Sequence, residues 1–195
     1  DAGDVWATRT FPMREAAKGS LYRNEVTEAA VAAVREAIVR IGRGERPRPL
    51  DCARPGVRGR LRPAMRQADR AVDWARDDTA TVLSKIRAAD GVPGVRDEVL
   101  GVTCHLYDAH PELPLVARFA SESPGKVVAT RDGAILRRTI DGAVWITHLK
   151  RIDADPRATL KLPAVQVLGE RLAGVPDLPL AADAAVDGAT WRAMR

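Results

Sequence analysis

Aromatic side chains are scarce in this chain of 195 residues: four Trp, two Tyr and two Phe, 4% in all. Any core must therefore rest on Val, Leu, Ile and Ala rather than on large rings. Cysteine is scarcer still. Cys52 and Cys104 are too few for a disulfide framework, and the expectation is two reduced thiols. The chain has three histidines, and Cys104, His105 and His110 do not make a zinc set. Adjacent strand residues point to opposite faces, and no second Cys or His pair completes four ligands. No apolar run approaches the ~20 residues of a membrane span, and no charged-then-apolar leader or initiator Met stands at the start. The expectation is a cytoplasmic chain with no membrane partner and no metal.

What is present is charge, unevenly placed. The formal net charge is +5, yet between residues 40 and 70 ten Arg face only Glu45, Asp51 and Asp69, a local +7 that leaves −2 for the rest. This Pro-, Arg- and Gly-rich stretch has no clean periodicity and reads as an interdomain linker. Its plainer role is a solvated strap across a neighbouring domain. Its sharper one is an anion or acceptor site, with Arg58, Arg60, Arg62 and Arg66 holding phosphates.

The elements around it follow from pattern. Residues 5–11 alternate like a strand, ending before Pro12. Ser20 is placed to cap a helix over 20–41, in which Tyr22, Val26, Ala30, Val34, Ile38 and Ile41 form an apolar stripe. One strand and one helix cannot cover each other, so they read as the last pieces of a larger α/β domain. A second helix follows Asp77 or Asp78 as cap, with Val82, Leu83, Ile86 and Ala89 on one face, and Gly91 and Pro93 stop it. Trp74 is placed to staple back over its first turn. Strands are expected over 99–107, 125–130, 134–140 and 143–150. Asp132-Gly133 and Asp141-Gly142 mark hairpins, because both turn positions accept positive φ. Residues 108–123 read as a loop, and His148 as a rim residue near the end of the last strand. The fold class is α+β: one helix, then a meander of short strands.

The Asp73-Trp74, Ile86-Arg87-Ala88 and Pro93-Gly94 spacing resembles the C-terminal domain of formyltransferases that use 10-formyltetrahydrofolate. The upstream run R-G-R-L-R-P-A-M-R-Q-A-D-R-A-V-D-W is similar to one subgroup, the HypX/HoxX-type maturation proteins of nickel–iron hydrogenases. The resemblance implies that the meander closes as an OB-like barrel. It implies four segments: residues 1–44 as the edge of a catalytic domain, 45–68 as linker, 69–152 as the barrel domain, and 153–195 as connector toward an enoyl-CoA hydratase-like module. It makes Asp1, in Asp1-Ala2-Gly3-Asp4, the family's active-site Asp, whose Asn and His partners lie upstream; Asp4 stands where the family has Pro. A carboxylate beside an imidazole can relay a proton as a nucleophile attacks a formyl carbon.

The parent enzyme would then use 10-formyltetrahydrofolate and coenzyme A in one-carbon metabolism, on the way to the carbon monoxide ligand of the hydrogenase. The stretch itself would bind neither cofactor alone. Its partners would be the catalytic and hydratase-like modules of the same protein and the hydrogenase maturation machinery, not a nucleic acid. Two other readings stand beside this one. The chain could be the tRNA-binding domain of a methionyl-tRNA formyltransferase, or a structural spacer between enzymatic modules.

Overall fold

The computed structural model describes residues 3–49, 62–112, 116–152 and 160–178. The chain divides into two compact units, one of residues 1–15 with 19–64, the other of 16–18 with 65–195.

In the first unit the expected helix is longer than its apolar stripe suggested. Lys18–Leu21 (α1) runs through a π turn, Tyr22–Val26, into Thr27–Gly42 (α2). Ser20 is not its cap. It lies inside the first turn, where its hydroxyl accepts from Arg14 Nη2 at 2.7 Å. The strand expected over 5–11 does not form. Val5 makes a single bridge to Arg48, donating to its carbonyl at 2.7 Å and accepting from its N–H at 3.1 Å. Alternation without a neighbouring strand leaves backbone groups unpaired, so residues 7–10 have no regular structure. They are held through side chains instead: Glu36 pairs with both Arg9 and Arg40, and Arg40 donates to the Trp6 carbonyl at 2.9 Å.

The second unit is built on Thr79–Ala88 (α4) and a six-stranded antiparallel sheet; a single turn, Gln67–Arg70 (α3), precedes them. Asp78 is the cap, its carboxylate accepting from the Thr81 N–H at 2.7 Å. Val82, Leu83, Ile86 and Ala89 all turn inward, as their spacing required. Burying Val82, Leu83 and Ile86 contributes about 1.5–3 kcal/mol each.

The strands are Val95–Val99 (β1), Val102–Glu112 (β2), Val127–Arg131 (β3), Ala134–Arg138 (β4), Ala143–Arg151 (β5) and Leu162–Pro163 (β6). They are ordered β1-β2-β5-β4-β3, with β6 also on β5. The run expected as one strand over 99–107 is in fact cut by a hairpin turn. Leu100 and Gly101 take φ of 49° and 77°, the left-handed pair of a tight two-residue loop. Beyond it β2 continues to Glu112, well into the stretch read as a loop. Its register with β5 is the same on both sides of Asp108, the one position skipped in the pairing, which has φ of 54°.

Asp132-Gly133 makes the expected turn, with φ of 48° and 83°. Asp141-Gly142 does not. Thr139 and Gly142 close that loop, the Thr139 N–H donating to the Gly142 carbonyl at 2.9 Å, and neither Asp141 nor Gly142 has positive φ. Gly142 is there for space: a Cβ would sit 2.6 Å from Thr79 Oγ1. Thr79 lies that close because its N–H and hydroxyl both donate to Asp141 Oδ1 at 2.8 Å. The β4–β5 turn is thereby fixed to the start of α4.

One face of the sheet packs on α4 and on Ala164–Leu168 (α5), burying Val95, Cys104, Leu106, Ile135, Ile146, Leu149, Ala164 and Leu168. On the other face Phe119, Val128, Leu136, Ala143 and Trp145 gather with Leu178. Strand β4 is therefore covered on both sides. Residues 160–178 belong to this core, since Leu178 donates to the Thr130 carbonyl at 2.8 Å and β6 pairs with β5.

The outer strand β1 is linked to β4 through side chains. Arg137 Nη1 donates to Asp97 Oδ2 at 2.5 Å, its Nε donates to the Gly125 carbonyl at 2.9 Å, and its guanidinium lies 3.9 Å from the Trp74 ring centroid. The Trp74 indole N–H donates to the same Asp97 oxygen at 2.9 Å, so Trp74 turns to the sheet. Among the described residues β1 and β3 do not pair with each other.

Candidate functional site on the outer sheet face

Along β2, Cys104, Leu106 and Ala109 enter the core, so His105, Tyr107 and His110 lie on the opposite face. Along β5, Val144, Ile146 and Leu149 enter it, leaving Trp145, His148 and Lys150 outside. Register then pairs His105 with Lys150, Tyr107 with His148, and His110 with Trp145. Arg96 of β1 stands opposite His105 and extends the row. All three histidines of the chain thus share one face of one strand pair.

At the middle of this face, Asp108, the position skipped in the β2–β5 pairing, gathers polar groups. Its carboxylate lies 2.6 Å from Lys161 Nζ and 3.1 Å from His148 Nδ1. Thr147 Oγ1 lies 3.2 Å from the Asp108 carbonyl, as a donor, and 2.8 Å from His148 Nδ1. Lys161 also lies 5.0 Å from the Tyr107 ring centroid.

Toward the β3–β4 hairpin the face opens into a cavity of about 230 Å³ lined by His110, Arg131, Asp132, Ala134, Trp145 and Thr147. Its walls are fixed. The Trp145 indole N–H donates to buried Glu112 at 2.5 Å, and the Arg131 guanidinium lies 4.6 Å from the Trp145 ring centroid. Arg131 also donates through Nε to the Leu178 carbonyl at 2.7 Å and lies 3.6 Å from Glu112. Burial holds the His110 imidazole below its ordinary pKa; nearby Arg87 adds to this, and Asp108 opposes it. The neutral form of His110 is therefore favoured. His105 is lowered in the same way, by burial first and then by Lys150 and Arg96.

Of the residues singled out by sequence, Asp1, Arg58 and Arg60 lie outside the described residues, as does Cys52. Arg62 and Arg66 are exposed and fall in different units. Arg66 begins α3, where its backbone N–H donates to Asp69 at 2.7 Å. Cys104 is a buried free thiol whose pKa burial pushes up to about 12, with Asp97 adding to the rise. Among the described residues no group of three His, Cys, Asp or Glu is arranged to hold a metal, and no helix is long and apolar enough to cross a membrane. The cavity residues Arg131, Asp132, Trp145 and Thr147 were not singled out by sequence. The signal was the alternation over 143–150, which opposes Trp145 and Thr147 to Val144 and Ile146, together with the Asp132-Gly133 turn.

Helix α4 on an antiparallel sheet fits the comparison with known families, since residues 64–159 match the C-terminal domain of formyl transferases. The resemblance extends well outside that domain. A hydrogenase maturation factor HoxX of Bradyrhizobium diazoefficiens is 47% identical over 180 residues, covering 92% of this chain and 30% of its own length. The crystal structure of a substituted variant of HypX from Aquifex aeolicus aligns with a TM-score of 0.81 at 45% identity, over 96% of this chain and 32% of that one. The same protein in complex with tetrahydrofolic acid aligns with a TM-score of 0.81 at 45% identity, over 95% and 31%. Over nearly its whole length the chain is thus similar to part of the HypX/HoxX-type hydrogenase maturation proteins, and it spans about 30% of the length of these relatives.

Proposed function

We propose that this chain is the segment of a hydrogenase maturation enzyme that carries the non-catalytic C-terminal formyltransferase domain. The whole enzyme takes a formyl group from 10-formyltetrahydrofolate to coenzyme A, on the way to the carbon monoxide ligand of the nickel–iron centre. The observation that supports this best is the extent of the match. Identity of 47% runs over 92% of the chain, so it takes in residues of the first unit as well as the 64–159 domain. The tetrahydrofolate complex of the Aquifex aeolicus relative supports a folate as donor.

In this reading residues 1–44 are the edge of the catalytic domain, and the exposed stripe of α2 packs on the rest of that domain. Asp1 is the carboxylate that works with an Asn and a His supplied from there. Residues 45–68 are the linker, whose Arg58, Arg60, Arg62 and Arg66 meet phosphates of the acceptor. The barrel domain follows, and the tail leads toward a hydratase-like module.

The test is formyl-CoA production in the complete reading frame that contains this chain. Asp1→Ala should lower it by about 10²–10⁴-fold, the usual contribution of a positioned acid–base group. The chain by itself should give no product above a no-protein control, because an acid–base group without positioned partners gains little. Activity of the isolated chain, or an Asp1→Ala enzyme of full activity, would overturn the assignment. The arginines are tested separately with transfer RNA. Binding by the chain should be weak, about 10⁻⁴–10⁻⁶ M at physiological salt, without preference for initiator tRNA. Tight initiator-selective binding lost on Arg62→Ala would favour the RNA-binding alternative instead.

A further inference from the structure

We infer that the cavity between β2, β5 and the β3–β4 hairpin binds a small, uncharged planar ring bearing N–H donors, of the carboxamide or amino-heterocycle class. The inference concerns a site separate from the formyl-transfer residues and does not depend on them.

Size comes first. About 230 Å³ is below the roughly 300–1,000 Å³ of pockets that enclose drug-sized ligands, so the cavity suits one ring and its substituent. Shape comes next. The Trp145 indole forms a flat wall that cannot swing aside, because its N–H is tied to Glu112 and Arg131 lies against the ring.

The polar groups then define the ligand's edge. The carboxylate of Asp132 accepts only, and among the described residues it makes no hydrogen bond or ion pair. Thr147 directs its hydroxyl proton to the Asp108 carbonyl and has His148 Nδ1 at 2.8 Å on its oxygen, which keeps one lone pair to accept from a ligand. His110 lines the same cavity, and its neutral form, which burial favours, offers one further acceptor nitrogen. The lining is therefore rich in acceptors, and the ligand must bring the donors.

Charge sets the last limit. Arg131 and Asp132 cancel within the lining, and Glu112 lies behind Arg131 at 3.6 Å. An anion would meet Asp132 without a free cation, since Arg131 is already held by Glu112, Trp145 and the Leu178 carbonyl. A cation placed against the Trp145 ring would compete with the Arg131 guanidinium that already lies there at 4.6 Å. A neutral ring with an amide or amino edge avoids both costs.

Three isosteric probes test this on the 195-residue chain: benzamide (neutral), benzoate (anion) and benzamidine (cation). The readout is the ¹⁵N–¹H spectrum, followed at the Trp145 indole and at the amides of Asp132 and Thr147. Benzamide should shift these signals and bind about tenfold tighter than either charged probe. Thr147→Val removes the hydroxyl without changing shape. Asp132→Asn removes the charge while keeping a residue suited to the left-handed turn. Each should weaken benzamide about tenfold, the loss expected for a hydrogen bond at a charged or buried partner. Unchanged spectral dispersion and melting temperature will show that both variants fold. The inference fails if benzamide leaves these three signals in place, if benzoate or benzamidine binds tighter, or if both folded variants bind benzamide as the native chain does.

Discussion

Helices α2 and α4 have the same kind of sequence and opposite situations. Both carry an apolar stripe at helical spacing. In α4 the stripe is sealed: Val82 and Ile86 are 0% exposed. In α2 it lies open, with Val34 58% and Ile38 63% exposed. The ends differ as well. Asp78 caps α4, Asp141 holds Thr79, and Lys85 reaches back to Asp77 at 2.6 Å and to the Ala71 carbonyl at 2.7 Å. Helix α2 grows out of a π turn with no side-chain cap. An amphipathic pattern thus commits a helix to having a partner but does not supply one. In a helix of sixteen residues with an open stripe, stability must come mostly from propensity and a few ion pairs, which is marginal in water.

Hydrogen exchange should show the largest contrast. Amides of β4 and β5 should open only with global unfolding, which for a domain of this size costs on the order of 5–15 kcal/mol. Amides of residues 27–42 should exchange many times faster. Equal protection in the two regions would mean that α2 is covered in solution and would end the comparison. A matched pair of substitutions sharpens it. Ile86→Ala should cost about 2–5 kcal/mol in urea unfolding, since it removes a fully buried side chain and leaves a cavity. Ile38→Ala should change stability by less than about 0.5 kcal/mol, as exposed positions do. If the two cost the same, the open stripe has found a partner, whether a second copy or another part of the chain.

How much could be read in advance follows the same division. The face of α4, the stop at its end, the turn at Asp132-Gly133 and the strands on either side of it are local matters of spacing and φ, and the sequence carried them. The strand expected over 5–11 failed because alternation describes a side-chain pattern, while a strand needs a hydrogen-bonded neighbour that no local pattern reveals. Ser20 failed as a cap because Lys18 and Gly19 continue the helix before it. The hairpin at Leu100-Gly101 was hidden because Leu at positive φ runs against its steric preference. The cavity was hidden for a different reason. Arg131 and Trp145 come together only through the β3–β4–β5 pairing, and residues fourteen apart in sequence carry no sign of it. Formyl transfer was legible only through resemblance, since no spacing or periodicity around Asp1, Arg58, Arg60, Arg62 or Arg66 points to it.

A smaller effect tests why the start of α4 is so firmly set. Gly142→Ala should cost about 1–3 kcal/mol, because the new methyl meets Thr79 Oγ1 at 2.6 Å in a packed turn. The backbone itself is unstrained there, so the cost is one of contact. Combining it with Thr79→Ala should therefore be clearly less than additive. Full additivity would show that the penalty arises in the β4–β5 turn and that the seat of α4 is not involved.

The smallest effect is the pH dependence of that same helix start. Hydrogen bonds from the Thr81 hydroxyl and N–H hold Asp78 below its ordinary pKa, against some opposition from Asp141. For Asp141, partial burial pushes upward, but donation from the Thr79 N–H and hydroxyl outweighs it and the net shift is downward. Both carboxylates thus bind a proton less readily in the folded chain than in the unfolded one. Their contribution to stability is complete above the unfolded value of about 4 and is lost as pH falls through the folded values below it. The thermal midpoint should accordingly be unaffected by these two groups between pH 7 and 5, and should decline below about pH 4. Asp78→Asn removes one of the two titrations, so its midpoint should start lower at pH 7 and fall less steeply in acid than that of the native chain. Parallel acid limbs for the two proteins would mean that the cap is not what makes α4 sensitive to acid. The contrast with α2, which has no side-chain cap to titrate, would then rest on the buried stripe alone.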